Sequence, residues 1–397
     1  MKNRNLENKN ILLAVSGSIA AYKAVDIASQ LIKQGANVDV AMTEAATKFI
    51  TPFTFKTITG NVPFLDMWDI NSPSKERHIE LAHNSDLMII APATASTIAS
   101  LAYGTADDSV SLCALSTESS RLIAPAMDHQ MWNNAATQIN INKLKERGDI
   151  IIGPDYGRLA SGEFGLGRLS STEEIISEIK TRAGKIYGDL AGKHIVITAG
   201  GTREPMDPVR FLGNRSSGKM GYAIAEAARD RGSEVTLISS ANRPPLAGVS
   251  IINTETTADM FEKVLEATKN ADALIMAAAV SDFRFKNINE NKIKNKENDI
   301  NVSLTPNPDI IASIKGDIIK IAFAAEINDM EKFAMQKLKS KKVDFIIAND
   351  VSNPEIGFNS DNNKVIIFSN TGDKINLPLM PKIDVGHEIL DSLKKRF

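Results

Sequence analysis

A short apolar run, a turn of small residues and a helix-length stretch closed by glycine follow one another from Ile11, and the same rhythm restarts after Asp189. Residues 11–15 read as a strand and Ser16-Gly17-Ser18 as the turn, while apolar spacing at Ile19, Tyr22, Ala24, Ile27 and Leu31 predicts a helix that Gly35 stops. Further strands are expected at 38–42, 87–90, 121–124 and 150–152, with helical patterns between them. In the second half the strands fall at 194–198, 235–238, 273–276, 320–323, 345–348 and 364–368, with a helix over 218–231 closed by Gly232. Alternating β and α units of this length require a parallel sheet covered on both faces. The expected fold class is therefore α/β, with two tandem doubly wound, Rossmann- or flavodoxin-like domains. Residues 172–187, amphipathic and rich in Glu and Lys, read as the last helix of the first domain, which sets the domains at 1–189 and 190–397. A chain of 397 residues has the length for two cores. The polar, Lys- and Asn-rich stretch 287–301 reads as a mobile loop inside the second domain.

Composition narrows the class. Hydrophobic residues make up 43% and charged residues 24%, which argues against disorder, a collagen-like repeat or a membrane protein. A net charge of -2 provides no chain-wide field for nucleic acid or an anionic membrane, so phosphate binding must come from local loops. With Cys113 as the one cysteine no intramolecular disulfide can form, as suits a reducing compartment. The first ten residues are polar, and the apolar run after them is far shorter than the ~18 residues of a membrane span. A cytoplasmic location without nucleic-acid or membrane partners is expected.

In an open parallel sheet, ligands collect at the C-terminal strand ends, where helix N-termini offer free N–H groups to a phosphate. Ser16-Gly17-Ser18-Ile19 sits at such a junction but lacks the GxGxxG glycines of a nicotinamide dinucleotide site. The other strand ends are Met42-Thr43, Ala91-Pro92-Ala93-Thr94-Ala95-Ser96-Thr97 and Pro125-Ala126-Met127-Asp128-His129-Gln130-Met131-Trp132, with Arg77-His78-Ile79-Glu80-Leu81 ahead of the third strand. Together with the residues from Gly17 to Lys23, these motifs resemble the homo-oligomeric flavin-containing cysteine decarboxylases, in their phosphopantothenoylcysteine branch, over about residues 10–185.

That resemblance implies FMN held around Gly17, Ser18, Ile19, Thr43, Ala91, Thr94 and Met127, a catalytic His78, and sites completed between subunits of a trimer. It also implies the chemistry: oxidation of the cysteine-derived thiol end creates the electron sink for loss of carbon dioxide. Two positions depart from the pattern. Asp128 stands where an Asn would contact the substrate carboxylate, and Ser161, in the Gly-rich flap of residues 159–168, stands where a Cys would protonate the intermediate. Like charges about 4 Å apart cost roughly three decades in affinity. Asp128 must therefore be protonated in the complex, be paired with a cation, or face a substrate that sits differently. Ser161 is a far poorer acid than a thiol. Decarboxylation is expected to survive, with its completion slowed or rerouted. Cys113, in a small-residue helical segment, reads as a buried structural thiol.

In the second half, the residues from Thr198 through Gly200-Gly201 to Arg210, followed by Asn214-Arg215-Ser216-Ser217-Gly218-Lys219, form a glycine turn and a helix start suited to a phosphate or carboxylate. The glycine spacing is not that of a P-loop. With Ala277-Ala278-Ala279-Val280-Ser281-Asp282-Phe283, Lys292-Ile293-Lys294, Asn307-Pro308-Asp309-Ile310, Phe323-Ala324-Ala325-Glu326, Ala348-Asn349-Asp350 and the run Gly357 to Asn362, this half resembles phosphopantothenate-cysteine ligase almost continuously. The resemblance implies activation of the 4'-phosphopantothenate carboxylate by CTP as an acyl-cytidylate, from which the amine of cysteine displaces CMP. Lys292, Lys337 and Lys341 would contact the triphosphate, Asp282 and Phe323 would hold the nucleotide, and Met276, Ala277, Ala278 and Asn307, Pro308, Asp309 and Ile310 would shape the cytidine pocket. Asn214 would stabilise the intermediate, Lys292 would ride on a lid, and Mg2+ would be retained by the phosphates, with no protein ligands to a metal assigned. Dimeric ligase domains are implied as well.

The leading expectation is a bifunctional enzyme of coenzyme A biosynthesis. Its alternative is an active ligase fused to an FMN-binding, oligomerising scaffold weakened by Asp128 and Ser161. A tandem nicotinamide oxidoreductase is the third reading, and the missing glycines count against it.

Overall fold

The computed structural model describes residues 5–68, 76–294, 301–326, 330–350 and 359–397, and the chain divides into two compact units, 1–183 and 184–397. The first holds a five-stranded parallel sheet of Asn10–Val15, Asn37–Met42, Leu87–Ala93, Ser120–Pro125 and Ile150–Ile151, in the spatial order second, first, third, fourth, fifth. This is the flavodoxin-like order, whose switch point lies between the first and third strands. Alternation along each strand explains why both faces are covered. Ile11, Leu13 and Val15 enter one apolar cluster, while Leu12 and Ala14 enter the cluster on the opposite face. An antiparallel hairpin, Asp155–Arg158 with Phe164–Arg168, follows the sheet and contains the stretch read from sequence as a flap.

The second unit is built on an eight-stranded sheet in the order Ser250–Asn253, Glu234–Ser239, His194–Ala199, Ala273–Met276, Ile319–Glu326, Phe345–Asp350, Val365–Ser369, Lys374–Asn376. The first six are parallel, again with the switch point beside the unit's first strand, and apolar clusters lie on both sides. Both units are thus α/β and doubly wound.

Two sequence expectations need correction. Ile19 and Tyr22, placed on the apolar face of the first helix, are 61% and 60% exposed. Ile19 precedes the helix, Ala21–Lys33, whose buried face is instead Ala21, Ala24, Ile27, Ala28 and Leu31. The last expected strand of the second domain is not parallel to its neighbours either. Val365–Ser369 runs antiparallel to Phe345–Asp350 and turns back into Lys374–Asn376. A parallel return needs a crossover of a dozen or more residues, usually a helix. The connection here, rich in Asn, Ser and Pro, carries no helical period. Part of the expected loop at 287–301 and the Gly357-Phe358 start of one ligase motif lie outside the described residues. Among the described residues, no helix is long and apolar enough to cross a membrane.

Candidate active sites

In the first unit the expected flavin-site residues gather at the C-terminal ends of four neighbouring strands. Gly17, Ser18 and Ile19 follow the first strand, Thr43 the second, Ala91 lies near the end of the third with Thr94 just beyond it, and Met127 follows the fourth. Thr43 and Thr94 cap the helices Glu44–Thr47 and Ala95–Tyr103, each accepting an N–H from the third helical residue at 3.2 Å. A capping hydroxyl can still donate its own hydrogen, and Thr94 Oγ1 also lies 3.0 Å from Thr97 Oγ1. Ser16 Oγ fastens the switch point, donating to Pro92 O at 2.7 Å and accepting from Thr94 N at 3.0 Å. Hydroxyls, free helix N–H groups and the exposed apolar face of Ile19 at one sheet edge fit the phosphate and ring of FMN.

His78 is the second residue of helix Arg77–Asn84 and stacks on Phe64 with ring centroids 6.4 Å apart. Phe64 in turn exchanges backbone hydrogen bonds with the second strand, at Val40 and Met42. The imidazole is thereby held near the strand end that carries Thr43.

The hairpin returns against the turn after the fourth strand, where Met127 N donates to Gly167 O at 2.9 Å. This brings together the two departures noted above, with Ser161 Oγ donating to Asp128 Oδ2 at 3.2 Å. Asp128 also caps helix His129–Asn133, accepting from Gln130 N at 2.9 Å. That backbone hydrogen bond, with smaller help from Ser161 and His129, holds the Asp128 carboxyl below the usual carboxylate range against the opposing pull of desolvation. Of the three routes open to Asp128, protonation is therefore the one its surroundings oppose. Cys113 is buried in helix Ser109–Ser116, and burial pushes its thiol up to about 12.

In the second unit a cavity of about 660 Å³ opens at the strand ends. Met276, Ala277, Ala278, Asp282, Asn307, Pro308, Asp309, Ile310, Phe323, Lys337, Lys341 and Asn214 all line it. Thr198 Oγ1 accepts from Ala278 N at 3.1 Å and so fixes the turn after the fourth strand of the order. Asn307 binds that turn to its own, donating from Nδ2 to Ser281 O at 2.9 Å and from N to Asp282 O at 2.8 Å. Asn214 Nδ2 donates to Val280 O at 3.1 Å, and Lys341 lies 3.4 Å from the Asp309 carboxylate. Ser216, Ser217 and Gly218 bring a helix start to the same space. Gly218 has φ +73, and a Cβ there would fall 2.6 Å from that of Ala241, so only glycine serves.

Lys292 is exposed and does not line the cavity. Its segment is moored to the turn at 206–210: Ile293 N donates to Asp207 Oδ2 at 3.3 Å, and Arg210 Nη2 donates to Ile293 O at 2.9 Å. Burial alone would raise the Asp207 carboxyl, but Arg210 and the N–H groups of Val209, Arg210 and Ile293 hold it well below the ordinary range. Sequence reasoning missed Lys382, a buried lysine that shares the cavity with Lys219. Burial, then the charges of Lys219 and Arg243, lower it to about 8, opposed by Asp361. Its only signal was a lysine opening the last amphipathic helix, Lys382–Lys394, a common surface pattern.

Residues 190–397 match the DNA/pantothenate metabolism flavoprotein C-terminal domain family, and residues 1–184 match the Flavoprotein family. The coenzyme A biosynthesis bifunctional protein CoaBC of Bacillus subtilis is 42% identical over 98% of this chain and 97% of its own. Its counterpart from Escherichia coli strain K12 is 41% identical over 99% and 98%. A crystal structure of the C-terminal domain of a CoaBC protein covers 52% of this chain and 96% of its own, at 38% identity and a TM-score of 0.45. Full-length matches at this identity, with each half in its own family, place the chain in the family of coenzyme A biosynthesis bifunctional proteins CoaBC.

Proposed function

We propose that residues 1–189 carry the FMN-dependent decarboxylation of phosphopantothenoylcysteine to 4'-phosphopantetheine, and residues 190–397 the CTP-dependent ligation of 4'-phosphopantothenate to cysteine. The chain is a bifunctional enzyme of coenzyme A biosynthesis, a phosphopantothenoylcysteine decarboxylase and phosphopantothenate-cysteine ligase, and the reading as a ligase on an FMN-binding scaffold with a weakened decarboxylase is not favoured.

The observation that carries the ligase assignment is the single cavity shared by Asn214, Asp282, Phe323, Lys337 and Lys341. A carboxylate is a poor electrophile, so nucleotidyl transfer must supply a leaving group while cations take up charge on the triphosphate. Lys337 and Lys341 supply that charge from the cavity wall, Phe323 offers an apolar face to the base, and the Asn214 amide, already braced on Val280, donates to the acyl intermediate. Lys292 reaches the phosphates when its segment closes, in the manner of a lid. A magnesium ion travels with the triphosphate.

In the decarboxylase unit, Gly17, Ser18, Ile19, Thr43, Ala91, Thr94 and Met127 hold FMN, which when bound supplies the two-electron chemistry. His78, held by Phe64, moves a proton at the substrate's thiol end, and the Asp128–Ser161 pair faces its carboxylate end. Trimeric decarboxylase domains, dimeric ligase domains and a cytoplasmic location complete the reading.

Replacing Lys341 by Ala tests it. CTP consumption should lose about ten- to a hundredfold in kcat/KM, the scale of a charge-assisted contact, with FMN content unchanged. Unaltered use of CTP would count against the assignment.

A further inference from the structure

The corner formed by Asp128 and Ser161 contains two more side chains able to bind a metal. His129 Nδ1 lies 3.5 Å from Asp128 Oδ1 and 3.4 Å from Glu163 Oε2, and one ligand atom from each of the three falls within 4.8 Å of the other two. Nδ1 is buried and has no hydrogen-bond partner among the described residues. Its separations from the carboxylates exceed the ~2.7–3.2 Å of a good N–H···O bond. They match the edge of a tetrahedron, about 3.4 Å, around an ion with bonds of about 2.1 Å.

We propose that Asp128, His129 and Glu163 bind a divalent transition-metal cation of the zinc type, with a fourth position left for an oxygen ligand. The imidazole favours such an ion over magnesium or calcium, which prefer oxygen donors throughout. The surroundings supply the support that metal ligands need. Ser161 donates to Asp128 Oδ2, while Oδ1, which also accepts from Gln130 N at 2.9 Å, lies on the imidazole side. Gly165 lets the hairpin lie against the ring, since a Cβ there would fall 2.6 Å from His129 Cβ and 2.9 Å from Cγ. The cation also answers the charge problem at Asp128, because its two positive charges cancel those of the Asp128 and Glu163 carboxylates and its fourth position can take the substrate's own. This last step rests on the decarboxylase reading; the metal site itself does not.

The full-length flavoprotein, its metal removed by a chelator and dialysis, is titrated with Zn2+ against a chromophoric chelator beside His129→Gln and Glu163→Gln. The unaltered protein should take up one Zn2+ per chain that both variants bind at least about a hundredfold more weakly, with their FMN colour kept as the check on folding. Failure to bind, or equal binding by all three proteins, overturns the site. Carbon dioxide release in the same samples separates the two readings. Zinc bound as expected with no release supports the metal site and removes the decarboxylase reading. Undiminished release from metal-free protein that takes up no zinc overturns the metal site and leaves that reading standing.

Discussion

Lys382 couples one side chain to the pH behaviour of the ligase. Its folded pKa of about 8 lies below the ordinary lysine value of 10.5, so the fold opposes its charged form. The destabilising contribution is fully present below about pH 8 and is relieved as pH rises toward 10.5. In the folded protein the cavity loses this cation as pH rises through about 8. The ligase kcat/KM for its anionic substrates should therefore fall by about tenfold between pH 7 and 9, and Lys382→Met should flatten that limb. Superimposable profiles for the two proteins would refute the role. At this scale the motif residues Thr94 and Phe323 stand at a strand end and in the cavity wall, whereas Lys292, named by a motif in the same way, stands outside the cavity. The Asp128–Ser161 contact could not be read, because 33 positions separate the two and only the returning hairpin brings them together. Lys382 was hidden for a different reason, since burial of a helix-opening lysine depends on packing that spacing does not reveal.

At the level of elements, the anchoring of the Lys292 segment is the feature most open to test. Asp207 accepts N–H groups from Val209, Arg210 and Ile293 and pairs with Arg210, joining the turn at 206–210 to the segment at 289–293. Asp207→Ala should release that segment and lower ligase kcat/KM by about ten- to a hundredfold, the scale of a displaced reactive group. FMN content and carbon dioxide release should be unchanged, and a ligase rate equal to that of the unaltered protein would show the anchor to be irrelevant. Strand positions were legible because strands buried on both faces read as uninterrupted apolar runs, as in Leu87–Ala93. Direction was not. Val365–Ser369 has the apolar character of its neighbours, and only the Asn370–Asp373 turn and the polar connection ahead of it separate an antiparallel edge from another parallel strand. Ile19 misled for a related reason: at a strand-to-helix turn, an apolar residue can face solvent or a ligand instead of the core.

For the whole molecule, each unit has its own sheet, its own pair of apolar clusters and its own row of polar groups at the strand ends. That doubling was visible in the restart of the β–α rhythm after Asp189. One chain therefore holds two chemistries in sequence: an amide bond formed with nucleotide activation, then a carboxylate removed with flavin chemistry. The central claim is that both run in the same protein and that one consumes what the other makes. The direct measurement is to incubate the purified full-length chain with 4'-phosphopantothenate, cysteine, CTP and Mg2+ and follow the products by mass. The account predicts CTP-dependent formation of phosphopantothenoylcysteine and its conversion, with loss of carbon dioxide, to 4'-phosphopantetheine. It would be contradicted if no CTP-dependent adduct formed, or if the adduct accumulated with its carboxylate intact.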